Sequence, residues 1–464
     1  MIAVSTFAKR SVAVVGLGRS GLATARALAM GGANVWAWDD NAHAREVALT
    51  EGFAVNEPAS ETMAHTAAVI LSPGIPLTHP APHPVVALAR KAGCPIIGDI
   101  ELLTRSQPQA TYVGITGTNG KSTTTSLVGH IFSQSGRKVE VGGNLGAPAL
   151  GLAELGAEGV YVLELSSYQL DLLDGATFDI AVLINISPDH LDRHGGMDGY
   201  VAAKRRIFRS GDSRLIAIVG VDDRRSAEIF ADLSEGTERR VIPISVKGAV
   251  AGGVYVVGGH LIDDQCGRVE PVLDLTGVAN LPGEHNWQNA AAGYAAARAA
   301  GVAREEIVSA IKTYPGLAHR QENVGTVDEI AFVNDSKATN GEAAARALDC
   351  YENVYWIAGG LAKEGGLVPL EGHISAVRQA FLIGEAKDAF AQSLSGKCAV
   401  TISGTLDAAV HAAFDAAVAD GLPDAVVLLS PACASFDQFS DFEARGDAFK
   451  QLVKALPGSR GVLS

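Results

Sequence analysis

Short apolar runs recur along the chain, and most lead through a glycine-rich or polar turn into residues with helical apolar spacing. Residues 12–15 run into a glycine turn, an alanine-rich helix to Met30 and a second strand at 35–38; another strand is predicted at 67–71. Residues 112–116 form the next strand, followed by a turn and a helix marked by Leu127, Val128, Ile131 and Phe132. Gly136, with Arg137 and Lys138 beside it, supplies the stop that a helix C-terminus favours. Further strands are predicted at 138–141, 160–163, 180–186, 215–219, 241–244 and 254–257, and an alanine-rich helix opens at His285. The alternation resumes at 330–333, 354–358 and 425–429, each strand ending in a polar loop. This pattern predicts an α/β protein with mostly parallel sheets, whose ligands sit at the carboxyl ends of the strands.

Composition narrows the picture. A length of 464 residues suggests about three domains at roughly 150 residues each. A hydrophobic fraction of 47% allows large cores, and 52 glycines suit close helix–sheet packing and tight turns. The net charge of -14 argues against a nucleic-acid backbone as partner, because neutralising phosphates needs clustered Lys and Arg. Cys94, Cys266, Cys350, Cys398 and Cys433 are scattered, without zinc or redox spacing, as expected of reduced thiols. The N-terminus lacks a signal-peptide pattern, and no apolar run approaches the roughly 18 residues of a membrane span. A soluble cytoplasmic protein is the expectation.

The chemistry concentrates in the turns. Gly117-Thr118-Asn119-Gly120-Lys121-Ser122-Thr123 joins a strand to a helix, an arrangement that cradles phosphate: backbone N–H groups face the anion, Lys121 adds a charge, and Ser122 or Thr123 reaches a cation. One glycine is displaced from the usual nucleotide-loop spacing, so a plain glycine turn beside a surface lysine is the competing reading. Gly16-Leu17-Gly18-Arg19-Ser20-Gly21 with Asp39 about 20 residues on fits a pyrophosphate turn and a ribose acceptor. That fingerprint alone also fits NAD. Ser72-Pro73-Gly74 could close over the same nucleotide, and Gly142-Gly143-Asn144-Leu145-Gly146 is another glycine loop. Glu164 ends a buried strand next to the phosphate loop, the place for a Mg²⁺ ligand or for a structural acid. His190 and His194 have the spacing of a zinc pair, but Pro188 and Gly195-Gly196 break the helix and the protease glutamate is missing; Asp189 and His190 better suit a hard cation and phosphate. Asn286 and Asn289 share a helix face and could read a planar ring edge, with N-capping as the alternative for Asn286.

These motifs resemble the Mur ligase family across the whole chain. The resemblance is carried by residues 117–123, Glu164-Leu165-Ser166-Ser167, Asp189-His190-Leu191-Asp192, His285-Asn286 with Asn289, His319-Arg320 and Asn334-Asp335-Ser336-Lys337-Ala338-Thr339-Asn340. Gly98-Asp99-Ile100-Glu101-Leu102 and Ser430-Pro431-Ala432-Cys433-Ala434-Ser435 with Asp437-Gln438-Phe439 resemble the branch that adds D-glutamate. The expected domains are 1–105, a Rossmann-like UDP-binding domain; 106–316, a central P-loop ATPase domain; and 317–464, a Rossmann-like domain for the amino acid. Pro108 and Pro315-Gly316 mark the joints and the expected hinges.

The resemblance implies that ATP phosphorylates the carboxylate of UDP-N-acetylmuramoyl-L-alanine, that D-glutamate attacks the acyl phosphate, and that a tetrahedral intermediate collapses to an amide, ADP and phosphate. It implies two Mg²⁺ sites drawn from Ser122, Glu164, His190 and a carbamylated Lys204, with Lys121, His190, Lys204, Asp335 and Lys337 as catalytic residues. ATP contacts would come from residues 117–123, Asn286, Asn289, Arg320 and Asp335. The UDP-substrate would meet Gly18, Arg19, Ser20, Asp39, Ser72, Pro73, Gly74, Asn144 and His190, and D-glutamate would meet Thr339, Lys363, Ser435 and Phe442. A monomer without nucleic-acid partner or membrane span is expected. The alternatives are another Mur or folylpolyglutamate-type ligase, an NAD-dependent oxidoreductase resting on residues 16–21, and a nucleotide-binding regulatory module.

Overall fold

The computed structural model describes residues 1–209, 215–235, 239–363 and 365–460; Glu364 of the loop 359–365 lies outside them. The chain forms two compact units, Met1–Tyr314 and Pro315–Ser464. Among the described residues there are three sheets, and the first unit holds two of them.

The first sheet is wholly parallel, in the order Ala54–Val55, Asn34–Trp38, Ser11–Val15, Val69–Leu71, Ile96–Ile97. Its order reverses beside Ser11–Val15, so the carboxyl ends of that strand and of Val69–Leu71 open a crevice. The second sheet has nine strands, and Thr111–Thr116 lies in it between Gly159–Glu164 and Ile180–Leu183. It is parallel except at one edge, where Val254–Val257, His260–Asp263 and Glu270–Asp274 run antiparallel. The strand expected at 180–186 stops at Leu183, and residues 184–187 turn toward the phosphate loop instead.

The two sheets of the first unit share one apolar cluster. Ile2, Val4 and the helix residues Ile100, Leu102 and Leu103 pack with Leu150, Leu163 and Leu170. That shared core is why residues on either side of position 105 form one compact unit. In the second unit, the parallel strands Asn353–Gly359, Ala425–Leu429 and Ile330–Asn334 are neighbours, so three loops rise from adjacent carboxyl ends. The five cysteines are free, and no helix among the described residues is long and apolar enough to cross a membrane.

Candidate active site

The phosphate loop leaves Thr111–Thr116 and enters helix Lys121–Gln134. Leu127, Val128, Ile131 and Phe132 are fully buried on that helix, each contributing about 2 kcal/mol. Gly120 adopts φ +81°, and a Cβ there would stand 2.1 Å from Asn289 Oδ1, so both the turn and its neighbour demand glycine. Lys121 Nζ donates to the carbonyls of Gly117 and Thr118, each at 2.9 Å. Thr118 Oγ1 meets the Tyr200 hydroxyl at 3.0 Å, and Asn119 N–H donates to Asn185 Oδ1 at 2.9 Å. Asn185 donates in turn to Gln288, and Gln288 to Asp222, a polar chain that fixes the loop from behind. Sequence reasoning passed over these three residues, which are far apart along the chain.

Asn286 and Asn289 lie inside helix Glu284–Ala299, whose N-cap is Gly283. The capping alternative for Asn286 therefore falls. Asn289 accepts from Thr124 Oγ1 and donates to Asn286 Oδ1, while Asn286 donates to Pro282 O. Asn289 thus braces the end of the loop from the helix behind it, and Asn286 orients Asn289.

Glu164 stands at the carboxyl end of the neighbouring strand, 2% exposed. Its Oε1 accepts from Asn144 Nδ2 at 2.6 Å, but its Oε2 is buried without a partner. Such an orphan is costly unless a ligand completes it. Lys204, 1% exposed, donates to Gly117 O at 2.7 Å and Thr116 Oγ1 at 3.3 Å. Burial, and then the charge of Lys121, hold its amine well below the usual lysine range, against the opposing pull of Asp189 and Glu164. Among the described residues no three His, Cys, Asp or Glu side chains form a metal cluster. The orphaned Glu164 oxygen is the kind of ligand a hard cation takes, with phosphate and water oxygens to complete its shell.

His190 adopts φ +50°, a left-handed conformation rare outside glycine and concentrated at functional sites. Its Nε2 lies 3.5 Å from Asp189 Oδ2, and both side chains are partly open. His194 is buried, and its two ring nitrogens meet Ser167 and Asp171. The two histidines are not a ligand pair.

The first sheet's crevice is a cavity of about 540 Å³. Gly18, Arg19, Ser20, Asp39, Ser72, Pro73, Gly74 and Asn144 all line it, as does Gln169, which sequence reasoning did not single out. A Cβ at Gly21 would fall 1.8 Å from Gly16 O, so helix and strand touch only because that position is glycine. Asp39 accepts the N–H groups of Leu17 and Asn41, which organises the turn. Arg19 donates to Gly146 O. Asn144 therefore reaches both this cavity and the Glu164 carboxylate.

In the second unit, Lys363 Nζ lies 3.4 Å from Thr339 Oγ1, and Lys337 sits over the Phe442 ring at 5.8 Å. Asp335 is buried, accepting from Ser430 Oγ at 2.7 Å and Gln321 N at 3.2 Å, with the charge of Arg320 nearby. His319 and Gln321, on either side of Arg320, both have positive φ. Ser435 is buried in the loop 430–439, whose Ala434 pairs with Leu361.

Arg445 was missed by sequence reasoning. It is 1% exposed and donates to Ser336 Oγ, Ser336 O and Cys433 O, while its Nη1 has no partner. Its signal was positional: Arg445 shares the buried face of the last helix with Phe449 and Val453. Arg445→Met should leave two carbonyls unsatisfied and cost the second unit about 2–4 kcal/mol, read as a lower urea midpoint.

Burial pushes the Asp335 carboxyl up from its ordinary 3.8 to about 7. The folded state favours the protonated form, so this group's contribution is complete below its ordinary value and is lost as pH rises through about 7. Asp335→Asn should therefore stabilise the second unit at pH 8, by up to about 4 kcal/mol, with a gap that closes toward pH 4. Thermal midpoints across that range check it.

Residues 10–98 match a model described as Mur ligase MurD-like, N-terminal domain, and residues 115–297 match the Mur ligase middle domain. UDP-N-acetylmuramoylalanine–D-glutamate ligase of Rhodospirillum rubrum is 51% identical over 99% of this chain and 98% of its own. The protein of that name from Phenylobacterium zucineum is 52% identical over 98% of each. The chain belongs to the Mur ligase family. Among solved structures, the UDP-N-acetylmuramate-alanine ligase of Thermotoga maritima shares the Mur ligase fold, with a TM-score of 0.56 at 16% identity over 96% of this chain and 99% of that one.

Proposed function

We propose that this chain joins D-glutamate to UDP-N-acetylmuramoyl-L-alanine at the expense of ATP, as a step of peptidoglycan precursor synthesis, acting as a cytoplasmic monomer. The observation that carries a ligase reading is the orphaned Glu164 Oε2 buried beside a phosphate loop that also holds Lys121 and Lys204. An oxidoreductase resting on the first glycine turn leaves all three side chains without a task, and the Mur ligase relatives agree with the ligase.

The substrate carboxylate and the γ-phosphate repel each other. Mg²⁺ held by Ser122 and Glu164, with a second ion near His190 and a carbamylated Lys204, would supply the positive charge that lets them meet. Lys121 and the loop N–H groups of residues 117–123 hold the phosphates, and Asn286, Asn289, Arg320 and Asp335 serve the rest of ATP. The carboxylate attacks the γ-phosphorus and ADP departs. The amine of D-glutamate, held by Thr339, Lys363, Ser435 and the Phe442 backbone, then attacks the acyl carbon, and the tetrahedral adduct expels phosphate as the nitrogen gives up a proton to solvent. Asp335 and Lys337, two positions apart in the chain, orient one another in this reading. The first-sheet cavity, with His190, binds the UDP-substrate.

Phosphate release with UDP-N-acetylmuramoyl-L-alanine, ATP and a panel of amino acids tests the reading. D-Glutamate should be required; acceptance of L-lysine or L-alanine in its place would overturn the assignment in favour of another ligase of this type.

A further inference from the structure

Ser167, His194 and Asp171 form a polar chain beside Gln169, a residue that lines the first-sheet cavity. His194 Nε2 lies 2.9 Å from Ser167 Oγ, and His194 Nδ1 lies 3.2 Å from Asp171 Oδ2. The histidine side chain is 2% exposed. The ring is thereby held from both sides, by a hydroxyl at Nε2 and a carboxylate at Nδ1. Ser167 and Asp171 are the first and last residues of one short helix, while His194 ends another, Leu191–His194. Tyr168 fills the space between, stacked on His194 at 5.4 Å and 16°, with the Arg193 guanidinium 4.6 Å from its ring centre.

Both helices are linked to the cavity. Gln169 lines it, with its Oε1 fixed by the Ser166 N–H and hydroxyl. Arg193 donates to the carbonyl of Gly74, another lining residue, at 3.2 Å. The turn that carries His190 is thus tied to two walls of the cavity through His194 and Arg193.

We propose that His194 is a positioning residue: with Ser167 and Asp171 it locks the Gln169 helix to the 190–194 turn and so sets the cavity wall that receives the UDP-substrate. The inference rests on the ligase reading above. A short helix of five residues has little stability of its own, so its placement depends on such ties.

His194→Phe keeps the ring stack and removes both the Ser167 hydrogen bond and the Asp171 contact. It should raise KM for UDP-N-acetylmuramoyl-L-alanine about tenfold and leave KM for ATP within about twofold. Ser167→Ala should do the same, and the double variant should be no worse than either single, because the chain acts as one unit. Asp171→Asn keeps an oxygen beside Nδ1 and should retain most of the wild-type affinity. A fall in kcat with unchanged KM values means only a smaller folded fraction and overturns the proposal, as does a parallel rise in every KM. Wild-type protein that releases no phosphate with this substrate and D-glutamate overturns the ligase reading itself, and this inference with it.

Discussion

Lys121→Ala should abolish turnover, lowering phosphate release by at least about 10³-fold, while binding of the UDP-substrate stays within about twofold of wild type. The asymmetry follows from the separate sites proposed for the two ligands. Lys121 projects over the loop formed by residues 117–120, its ammonium on the Gly117 and Thr118 carbonyls. The first-sheet cavity proposed for the UDP-substrate is lined by residues of the first sheet's loops, by residues within 143–148 and by Gln169, and Lys121 is not among its walls. Removing the ammonium strips the transferring phosphoryl group of a fixed cation, which matters most where charge shifts in the transition state. Calorimetric titration of the UDP-substrate into the variant, beside a phosphate-release assay, measures both halves. Equal loss of binding would contradict this division of labour.

Much of this site was legible in the chain because phosphate loops are local. Residues 111–134 carry strand, turn, lysine, hydroxyls and helix in an unbroken run, so spacing alone exposes them. Glu164 was legible because it ends an apolar strand. What stayed hidden is made by side chains distant in sequence. Asn185 meets Gln288 across 103 positions, and Arg445 meets Ser336 across 109, and no periodicity encodes either contact. The Ser167–His194–Asp171 chain was hidden for a different reason. The spacing of His190 and His194 suggests a shared ligand, whereas the left-handed backbone at His190 turns the two imidazoles to different tasks. The joining of the first two sheets was also illegible, because a shared apolar cluster leaves no mark at the linker.

Lys204 offers the second large effect; read alone in the sequence it is an ordinary solvated lysine of a helical stretch, and the structure buries it instead. Tyr200, Ala203, Lys204, Ile207 and Phe208 fall on one buried helical face, an unusual place for a lysine. Burial and the Lys121 charge hold its amine well below the usual range, which favours the neutral, nucleophilic form. A neutral amine adds to carbon dioxide: nitrogen bonds the carbon, one proton leaves, and a carbamate anion results. That anion would stand near Glu164 and Asp189 and needs cations between them, which is the condition a Mg²⁺ site requires. The carbamate nitrogen keeps one N–H, enough for the Gly117 carbonyl now accepting at 2.7 Å. Lys204→Ala should therefore lower kcat by about 10²-fold or more, and acetate or propionate should restore part of the loss by supplying a carboxylate in the vacated space. Lys204→Arg should not be rescued, because its stem fills that space and its charge is fixed. Wild-type enzyme in isotope-labelled bicarbonate should show a carbamate carbon by NMR that is missing from Lys204→Ala. Full activity with an unmodified Lys204 amine would refute the metal-site anion and leave Lys204 as a buried donor to the phosphate loop.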